Sequence, residues 1–170
     1  MKVYIVNGMP AAGKTTFEDC CINHLDNGHR LSTIDCVKDI AFHYCGWSGN
    51  KDIKSRKFLS DFKDLLTNYN DLPFKTIKRE IEKIGNENSE SVVFIDCREP
   101  DEIEKLRAAF SAKTVLVRRQ VVENIDWDNH ADTEVFNYNY DYNYDYIIEN
   151  NGTLTDLVYA VEAFLIEEGL

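Results

Sequence analysis

The eight residues from Gly8 to Thr15 constrain the fold of this chain more than any other stretch. They match the pattern G-x-x-x-x-G-K-[ST], follow an apolar strand pattern at 3–7 and open a helical pattern at 15–25. In that setting the glycines let the backbone curl so that its N–H groups point at phosphate oxygens, and the helix N-terminus adds partial positive charge. The sequence therefore predicts a phosphate-binding loop, the P-loop (residues 8–15), between the first strand and the first helix.

The residues of this loop have separate predicted roles toward a nucleotide. Lys14 is expected to reach the β- and γ-phosphates of ATP, and the Thr15 hydroxyl is expected to ligate Mg2+. The predicted ATP-binding residues of the region are Gly8, Met9, Pro10, Ala11, Ala12, Gly13, Lys14, Thr15 and Thr16. Mg2+ that enters with ATP is the expected cofactor.

Strand patterns alternate with helical patterns along the rest of the chain. Further strands are predicted at 31–34, 91–95, 113–117 and 144–148, and helices at 37–44, 53–66, 101–110 and 154–165, with another that begins at Pro73. This alternation predicts an α/β fold, a five-stranded parallel sheet with helices on both faces. The 170 residues fit a single domain, in which the helical stretch 35–88 is expected to be an insertion over one edge of the active site.

Charge and cysteine content exclude several classes of protein. A net charge of −11 with no basic run argues against binding a nucleic acid backbone. No window approaches the roughly 20 apolar residues that span a bilayer, and the apolar start at 1–6 is too short for a signal peptide. The five cysteines include no C-x-x-C pair, which favours free thiols over disulfides or a zinc site. We therefore expect a cytoplasmic protein with neither nucleic acid nor membrane as a partner.

A tyrosine-rich run covers residues 136–150. Its tyrosines, at 138, 140, 142, 144 and 146, would share one face of a strand. A platform for stacking nucleic acid bases is one interpretation, but such platforms come with cations and this run carries only acids. We favour a polar lead-in to the last buried strand, with Tyr144 and Tyr146 half packed.

The residues after the strand at 91–95 discriminate among proteins with a P-loop. Switch GTPases carry N-K-x-D after a strand, whereas the only Asn-Lys pair here, at 50–51, has no strand before it. Mechanical ATPases usually have consecutive acids after the strand that leads to the metal-binding acid. After the corresponding strand here, at 91–95, the chain has a single acid, Asp96, followed by Cys97 and Arg98. A kinase must exclude water and neutralise two clusters of phosphate charge at once, which explains a cation beside the metal-binding acid. The pattern favours a kinase.

Four stretches give the chain a family resemblance. They are the P-loop, WSGNKDIKSRKFLSDFKDLL at 47–66, IDCREPDEIEKL at 95–106, and NHADTEV at 129–135 with YDYIIENNGTLTDL at 144–157. Together they resemble the P-loop nucleoside monophosphate kinase group, most closely the phage-type deoxynucleoside monophosphate kinases and their bacterial relatives. The resemblance implies transfer of the γ-phosphoryl group of ATP in deoxynucleotide metabolism. It also implies a helical acceptor-binding region over 35–88 and a short mobile lid over 118–143.

The resemblance assigns roles to individual residues. Asp96 would be the acid near the metal that Thr15 ligates, and Arg98 would hold the phosphate of the acceptor. The other implied acceptor residues are Asp35, Lys51 and Arg56, with Lys57 as a further candidate. The implied catalytic residues are Lys14, Arg98, Arg118 and Arg119, the last two at the start of the lid. Asn151 and Gly152 would lie against the adenine of ATP.

Several alternatives stay open at this level. Lys51 and Lys57 are alternatively solvated surface charges, Asp35 a helix cap, and one of Arg118 and Arg119 a solvent-facing residue. Residues 120–143 contain no Lys or Arg and His130 as their single histidine, a departure from the arginine-rich lids of larger relatives. This departure leaves a nucleotide-binding regulatory module with little turnover as an alternative to a kinase. A deoxynucleotide, a ribonucleotide, dephospho-coenzyme A and phosphomevalonate all remain possible acceptors.

Overall fold

The computed structural model describes residues 1–120 and 144–170. Its five strands are β1 (Lys2–Asn7), β2 (Gly28–Ser32), β3 (Val92–Asp96), β4 (Lys113–Arg118) and β5 (Tyr146–Glu149). They form one parallel sheet in the order β2-β3-β1-β4-β5. The predicted five-stranded parallel sheet is confirmed, and β1, which carries the P-loop at its end, lies at its centre.

Helices cover both faces of this sheet. They are α1 (Lys14–Asn23), α2 (Asp35–Tyr44), α3 (Ile53–Asn70), α4 (Leu72–Glu87), α5 (Pro100–Phe110) and α6 (Leu154–Glu168). Because side chains alternate along a strand, Tyr4 and Val6 pack with α1 and α6, whereas Val3 and Ile5 pack with α4 and α5. Two apolar layers therefore fix the sheet between the two sets of helices. No helix within 1–120 and 144–170 is long and apolar enough to cross a membrane.

Two strands lie elsewhere along the chain than the sequence predicts. β2 begins at Gly28 and ends at Ser32, not at 31–34, and it is an edge strand in which every residue keeps some exposure, so its apolar pattern is weak. β5 begins at Tyr146, two residues later than predicted. Tyr144 precedes the strand and is buried rather than half packed, and its hydroxyl accepts a 2.8 Å hydrogen bond from the Asn7 amide.

Helices α2, α3 and α4 occupy the region 35–87, which was predicted to be a helical insertion. The Asp52 side chain caps α3 by accepting a hydrogen bond from the Ser55 backbone at 2.8 Å. Asp71, with a φ of 58°, makes the turn between α3 and α4. The three isoleucines of α4 that the spacing places on one face, Ile77, Ile81 and Ile84, all enter the core. α4 therefore packs on the sheet, and α2 and α3 pack against α4.

The parallel topology brings every segment of interest to one edge of the sheet. The P-loop follows β1, Arg98 follows β3, Arg119 follows β4 and Asn150 follows β5. Open α/β sheets bind ligands at this carboxyl edge. Of the predicted lid at 118–143, only residues 118–120 are among the described residues, and His130 lies outside them.

Candidate active site

The P-loop has the curled backbone that phosphate binding requires. Gly8 has a φ of 148°, and a Cβ there would lie 2.3 Å from the backbone oxygen of Val117. The loop wraps around Lys14, whose ammonium donates to the carbonyls of Gly8 at 2.8 Å and Met9 at 3.2 Å. The buried Lys14 is therefore held inside the loop, at the N-terminus of α1.

A side chain from the opposite side of the site braces the P-loop. The Asn150 amide donates a 2.8 Å hydrogen bond to the carbonyl of Ala12. Gly13 leaves room for this contact, because a Cβ there would lie 2.3 Å from the Asn150 side-chain nitrogen. The residue predicted here from the family resemblance is the neighbouring Asn151, whose side chain accepts a hydrogen bond from the Gln120 backbone at 2.8 Å.

One cavity of about 880 Å³ extends from the P-loop to helices α2 and α3. Its lining includes two carboxylates, Asp96 and Glu99. Its cations are Lys14, Lys38, Lys51, Arg56, Lys63, Arg98 and Arg119. Among the residues that the structure describes, seven cations and two acids line this cavity, within a protein of net charge −11. Such a concentration of positive charge is suited to ligands with several phosphates.

The cavity brings together most, but not all, of the residues selected from the sequence. Those in its lining are Pro10, Ala11, Gly13, Lys14, Thr15, Thr16, Lys51, Arg56, Asp96, Arg98, Arg119 and Gly152. Gly8, Met9 and Ala12 do not line the cavity; the carbonyls of Gly8 and Met9 accept hydrogen bonds from Lys14, and that of Ala12 accepts one from Asn150. The lining also includes Lys38, Lys63 and Trp47, none of which is a site residue predicted from the sequence.

Besides Gly8, Met9 and Ala12, four selected residues lie outside the cavity lining. Asp35 is the first residue of α2 and makes an ion pair with Lys38 at 3.3 Å. Lys57 is exposed on α3 and pairs with Asp61 at 2.9 Å. Arg118 pairs with Glu149 at 3.5 Å, while its neighbour Arg119 reaches the cavity. Asn151 is the fourth.

Buried oxygen atoms lie below the P-loop near Asp96. The Asp96 Oδ1 atom is buried and has no hydrogen-bond partner within the described part of the chain, and both carboxylate oxygens of Glu18 share this state. Mg2+ prefers oxygen ligands and keeps several waters, so Thr15 and Asp96, with these oxygens behind them, fit a magnesium ion. Burial, reinforced by the charge of Asp96, raises the pKa of the Glu18 carboxyl to about 8.

Lys63 forms a buried ionic cluster in the cavity wall between α3 and α5. Its ammonium donates to Glu99 at 2.5 Å, to Glu102 at 2.6 Å and to the Thr33 hydroxyl at 2.9 Å. Burial opposes the charged form of Lys63, but the two carboxylates outweigh burial and raise the pKa of the ammonium. The same lysine lowers the pKa of Glu99, whereas burial raises that of Glu102. Cys97 lies beside both carboxylates, and Lys63 supplies the positive charge of the cluster.

The loop between α2 and α3 presents an aromatic ring to the cavity. The Trp47 backbone N–H donates to Ala41 and the indole N–H donates to the carbonyl of Asn50, each at 3.1 Å. Trp47 is partly buried and lines the cavity near Lys51 and Arg56. The guanidinium of Arg56 in turn donates to the Lys51 carbonyl at 3.0 Å. The ring and two cations therefore form one wall.

Known structures share this architecture. No protein-family model and no curated protein sequence matches the chain. Shikimate kinase from Aquifex aeolicus superposes with a TM-score of 0.60 at 14% identity, over 100% of this chain and 99% of its own. Dephospho-CoA kinase from Campylobacter jejuni gives 0.56 at 15% identity, over 98% and 96%. A gluconokinase from Sinorhizobium meliloti gives 0.51 at 12% identity, over 98% and 93%. At these identities the likeness shows the fold, and the chain has the α/β P-loop NTPase fold that these kinases share.

Proposed function

We propose that this protein is an ATP-dependent phosphotransferase that moves the γ-phosphoryl group of ATP to a (deoxy)nucleoside monophosphate. The observation that carries the proposal is a continuous cavity that joins the P-loop to a second cationic region at α2 and α3. Its volume of about 880 Å³ is near the upper end of the range for small-molecule sites, enough for two substrates side by side.

The P-loop half of the cavity suits the donor. Lys14 and the N-terminus of α1 face the site of the β- and γ-phosphates, and Thr15 and Asp96 fit the metal that accompanies them. Bound Mg2+ would neutralise charge on the β- and γ-phosphate oxygens. Gly152, Thr153, Leu154 and Leu157 line the adjoining part of the cavity, where apolar contacts suit an adenine ring.

The cations beyond the P-loop support a phosphorylated acceptor. Arg98, which follows β3, and Lys51 and Arg56, at the start of α3, line the same cavity as the P-loop. A guanidinium makes paired hydrogen bonds to phosphate, so Arg98 and Arg56 suit a monophosphate group. Phosphoryl transfer needs positioning and charge neutralisation more than proton transfer, and these residues supply both.

The position of Trp47 supports an acceptor in which the phosphate is attached to a nucleoside. Its indole ring forms the wall beside Lys51 and Arg56, and a base stacked on an aromatic side chain gains roughly 1–3 kcal/mol. Phosphomevalonate offers a phosphate but no ring to this wall. Dephospho-coenzyme A offers an adenine, so the assay below includes both compounds.

The decisive experiment is an acceptor panel. The protein is incubated with Mg2+, ATP and each of the ribo- and deoxynucleoside monophosphates, dephospho-coenzyme A and phosphomevalonate, and ADP and phosphorylated products are quantified. We expect stoichiometric ADP and nucleoside diphosphate with at least one monophosphate, and slow ATP hydrolysis without acceptor because a kinase site excludes water. ATP hydrolysis that no acceptor accelerates would instead favour a nucleotide-binding module.

Substitution of two adjacent cations, one at a time, tests the proposed acceptor half of the cavity directly. Arg56 lines the cavity, whereas Lys57 faces solvent and pairs with Asp61. Arg56→Ala should raise the KM for the acceptor roughly tenfold or more, as expected on losing a charged hydrogen bond. Lys57→Ala should leave that KM unchanged. Equal effects of the two substitutions would contradict the proposed acceptor site.

Fluorescence tests the role of Trp47. The chain has two tryptophans, so Trp47 is the only one in a Trp127→Phe variant. A monophosphate acceptor should change the emission of Trp47 saturably, and phosphomevalonate should not. Unchanged emission with an acceptor that the enzyme phosphorylates would show that Trp47 does not contact the base.

A further inference from the structure

Glu18 is the most unusual buried polar residue of the described chain. It is completely buried in α1, and neither carboxylate oxygen has a hydrogen-bond partner among residues 1–120 and 144–170. Most buried polar side chains in proteins have at least one partner, and an unpartnered carboxyl group is costly whether it is ionised or protonated. A carboxyl group retained in such a position calls for a partner that binds there.

The position of Glu18 directs this carboxylate toward the nucleotide site. Glu18 follows Lys14 by four residues, so the two side chains share one face of α1. Helical side chains lean toward the helix N-terminus, which here is the P-loop. Asp96 is close enough for its charge to raise the pKa of Glu18, and its Oδ1 atom is likewise buried without a partner among the described residues. Asp96 lines the cavity and Glu18 does not, so Glu18 adds its two buried oxygens close to a carboxylate of the site.

The nearby cations have other partners. Lys14 donates to the carbonyls of Gly8 and Met9, and Arg30 pairs with Asp19 at 2.6 Å. Glu18 thus has two cations near it and a hydrogen bond from neither. Donors that could satisfy several acceptors at once are the waters of a hydrated cation, because Mg2+ usually keeps several of its waters when bound.

We propose that Glu18 is a positioning residue of the metal site, where with Asp96 it accepts hydrogen bonds from waters of the Mg2+ that Thr15 ligates. The proposal rests on the nucleotide half of the proposed function and not on the acceptor. Carboxylates behind a metal's direct ligands orient those ligands and the bound waters, and their loss typically costs roughly 10–100-fold in metal affinity or activity.

The test compares Glu18→Gln and Glu18→Met with a matched control, Glu162→Gln. Glu162 lies on α6, is about half exposed and makes a 3.9 Å contact with His24. Mn2+ affinity is measured by electron paramagnetic resonance in the presence of a non-transferable ATP analogue. Affinity for the same analogue is measured without metal in EDTA. Both Glu18 variants should lose on the order of tenfold in Mn2+ affinity. Their affinity for the metal-free analogue should match that of the wild type. Glu162→Gln should match the wild type in both Mn2+ affinity and affinity for the metal-free analogue.

Stability supplies a second readout. Glu18→Met removes an unpartnered carboxylate and fills its space with an apolar chain, so the metal-free variant should unfold at or above the wild-type temperature. A folded Glu18 variant with unchanged Mn2+ affinity would overturn the proposal. A variant whose analogue affinity falls equally with and without metal would overturn it too, since Glu18 would then only support the loop. Neither measurement needs an acceptor, so a failed acceptor panel and a failed metal test are distinguishable.

Discussion

The side-chain amide of Asn150 donates a 2.8 Å hydrogen bond to the carbonyl of Ala12, which joins the segment after β5 to the P-loop. The backbone N–H of Asn150 donates to the Arg118 carbonyl, also at 2.8 Å, so its position is fixed by β4. A residue at the rim of the sheet therefore holds the loop that cradles phosphate. The curvature of the P-loop depends on the end of β5 as well as on its own glycines.

Asn150→Ala should weaken ATP binding by loosening this brace. The loss of one hydrogen bond is worth about 1 kcal/mol, or roughly fivefold in affinity by calorimetric titration. Asn151→Ala is the informative comparison, because Asn151 lies outside the cavity lining and bonds to Gln120 and Glu149. If Asn151→Ala weakens ATP binding more than Asn150→Ala does, the sequence-based role of Asn151 beside adenine is correct instead.

Arg98→Ala should separate the donor from the acceptor. Arg98 follows β3, two residues after Asp96, and lines the cavity together with Glu99. We expect acceptor KM to rise at least tenfold, because a guanidinium–phosphate contact is charge-assisted, while ATP affinity changes little. ATP titration of the variant is the check. A donor affinity that weakens as much as the acceptor's would assign Arg98 to the triphosphate.

The sequence predicts the fold well because its signals are local. The P-loop pattern, the alternation of strands and helices and the apolar face of α4 each depend on residues close together in the chain. The site is less predictable, because it depends on contacts between distant segments. Nothing near Lys63 indicates that it meets Glu102, 39 residues away, in a buried cluster. The resemblance points to Asn151 and Gly152, and nothing local indicates that Asn150 contacts Ala12, 138 residues away.

Glu18 could have been selected from its spacing. Lys14, Phe17, Glu18 and Cys21 are the buried residues of α1, and their spacing marks one helical face. An acid on the apolar side of the P-loop helix is therefore visible in the sequence. The sequence does not show that the Glu18 carboxyl group lacks a hydrogen-bond partner among the described residues, because that depends on how β2 and β3 pack against this face.

Lys63→Met should destabilise the fold more than substitutions of neighbouring surface residues do. The side chain is 5% exposed, and its loss leaves Glu99 and Glu102 close together without their cation. Breaking a buried ion pair by removing one partner typically costs about 3–5 kcal/mol of unfolding free energy. Urea unfolding measures this loss of unfolding free energy. The double variant Lys63→Met with Glu102→Gln should recover part of the loss, and strictly additive effects would contradict a direct ionic cluster.

The carboxyl group of Glu168 should make the stability of the fold depend on pH. Its side chain, 4% exposed, accepts hydrogen bonds from Lys113 at 2.6 Å, from Tyr4 at 2.7 Å and from the Tyr146 hydroxyl. Burial opposes ionisation of this carboxyl, but the three donors outweigh burial and lower its pKa from 4.5 to about 2. The contacts join the end of α6 to β1, β4 and β5, so the charge stabilises the amino-terminal edge of the sheet.

Because the folded pKa lies below the unfolded one, the unfolded chain binds more protons at acid pH. The contribution of Glu168 is therefore complete above about pH 5 and is lost as pH falls toward 2. Glu168→Gln should lower the unfolding free energy by about 2 kcal/mol at pH 7, and its difference from wild type should shrink as pH falls toward 3. Urea unfolding at both pH values measures this, with Glu167→Gln, an exposed neighbour, as the control. A difference that stays constant with pH would mean that Glu168 stabilises the fold by packing and not by its charge.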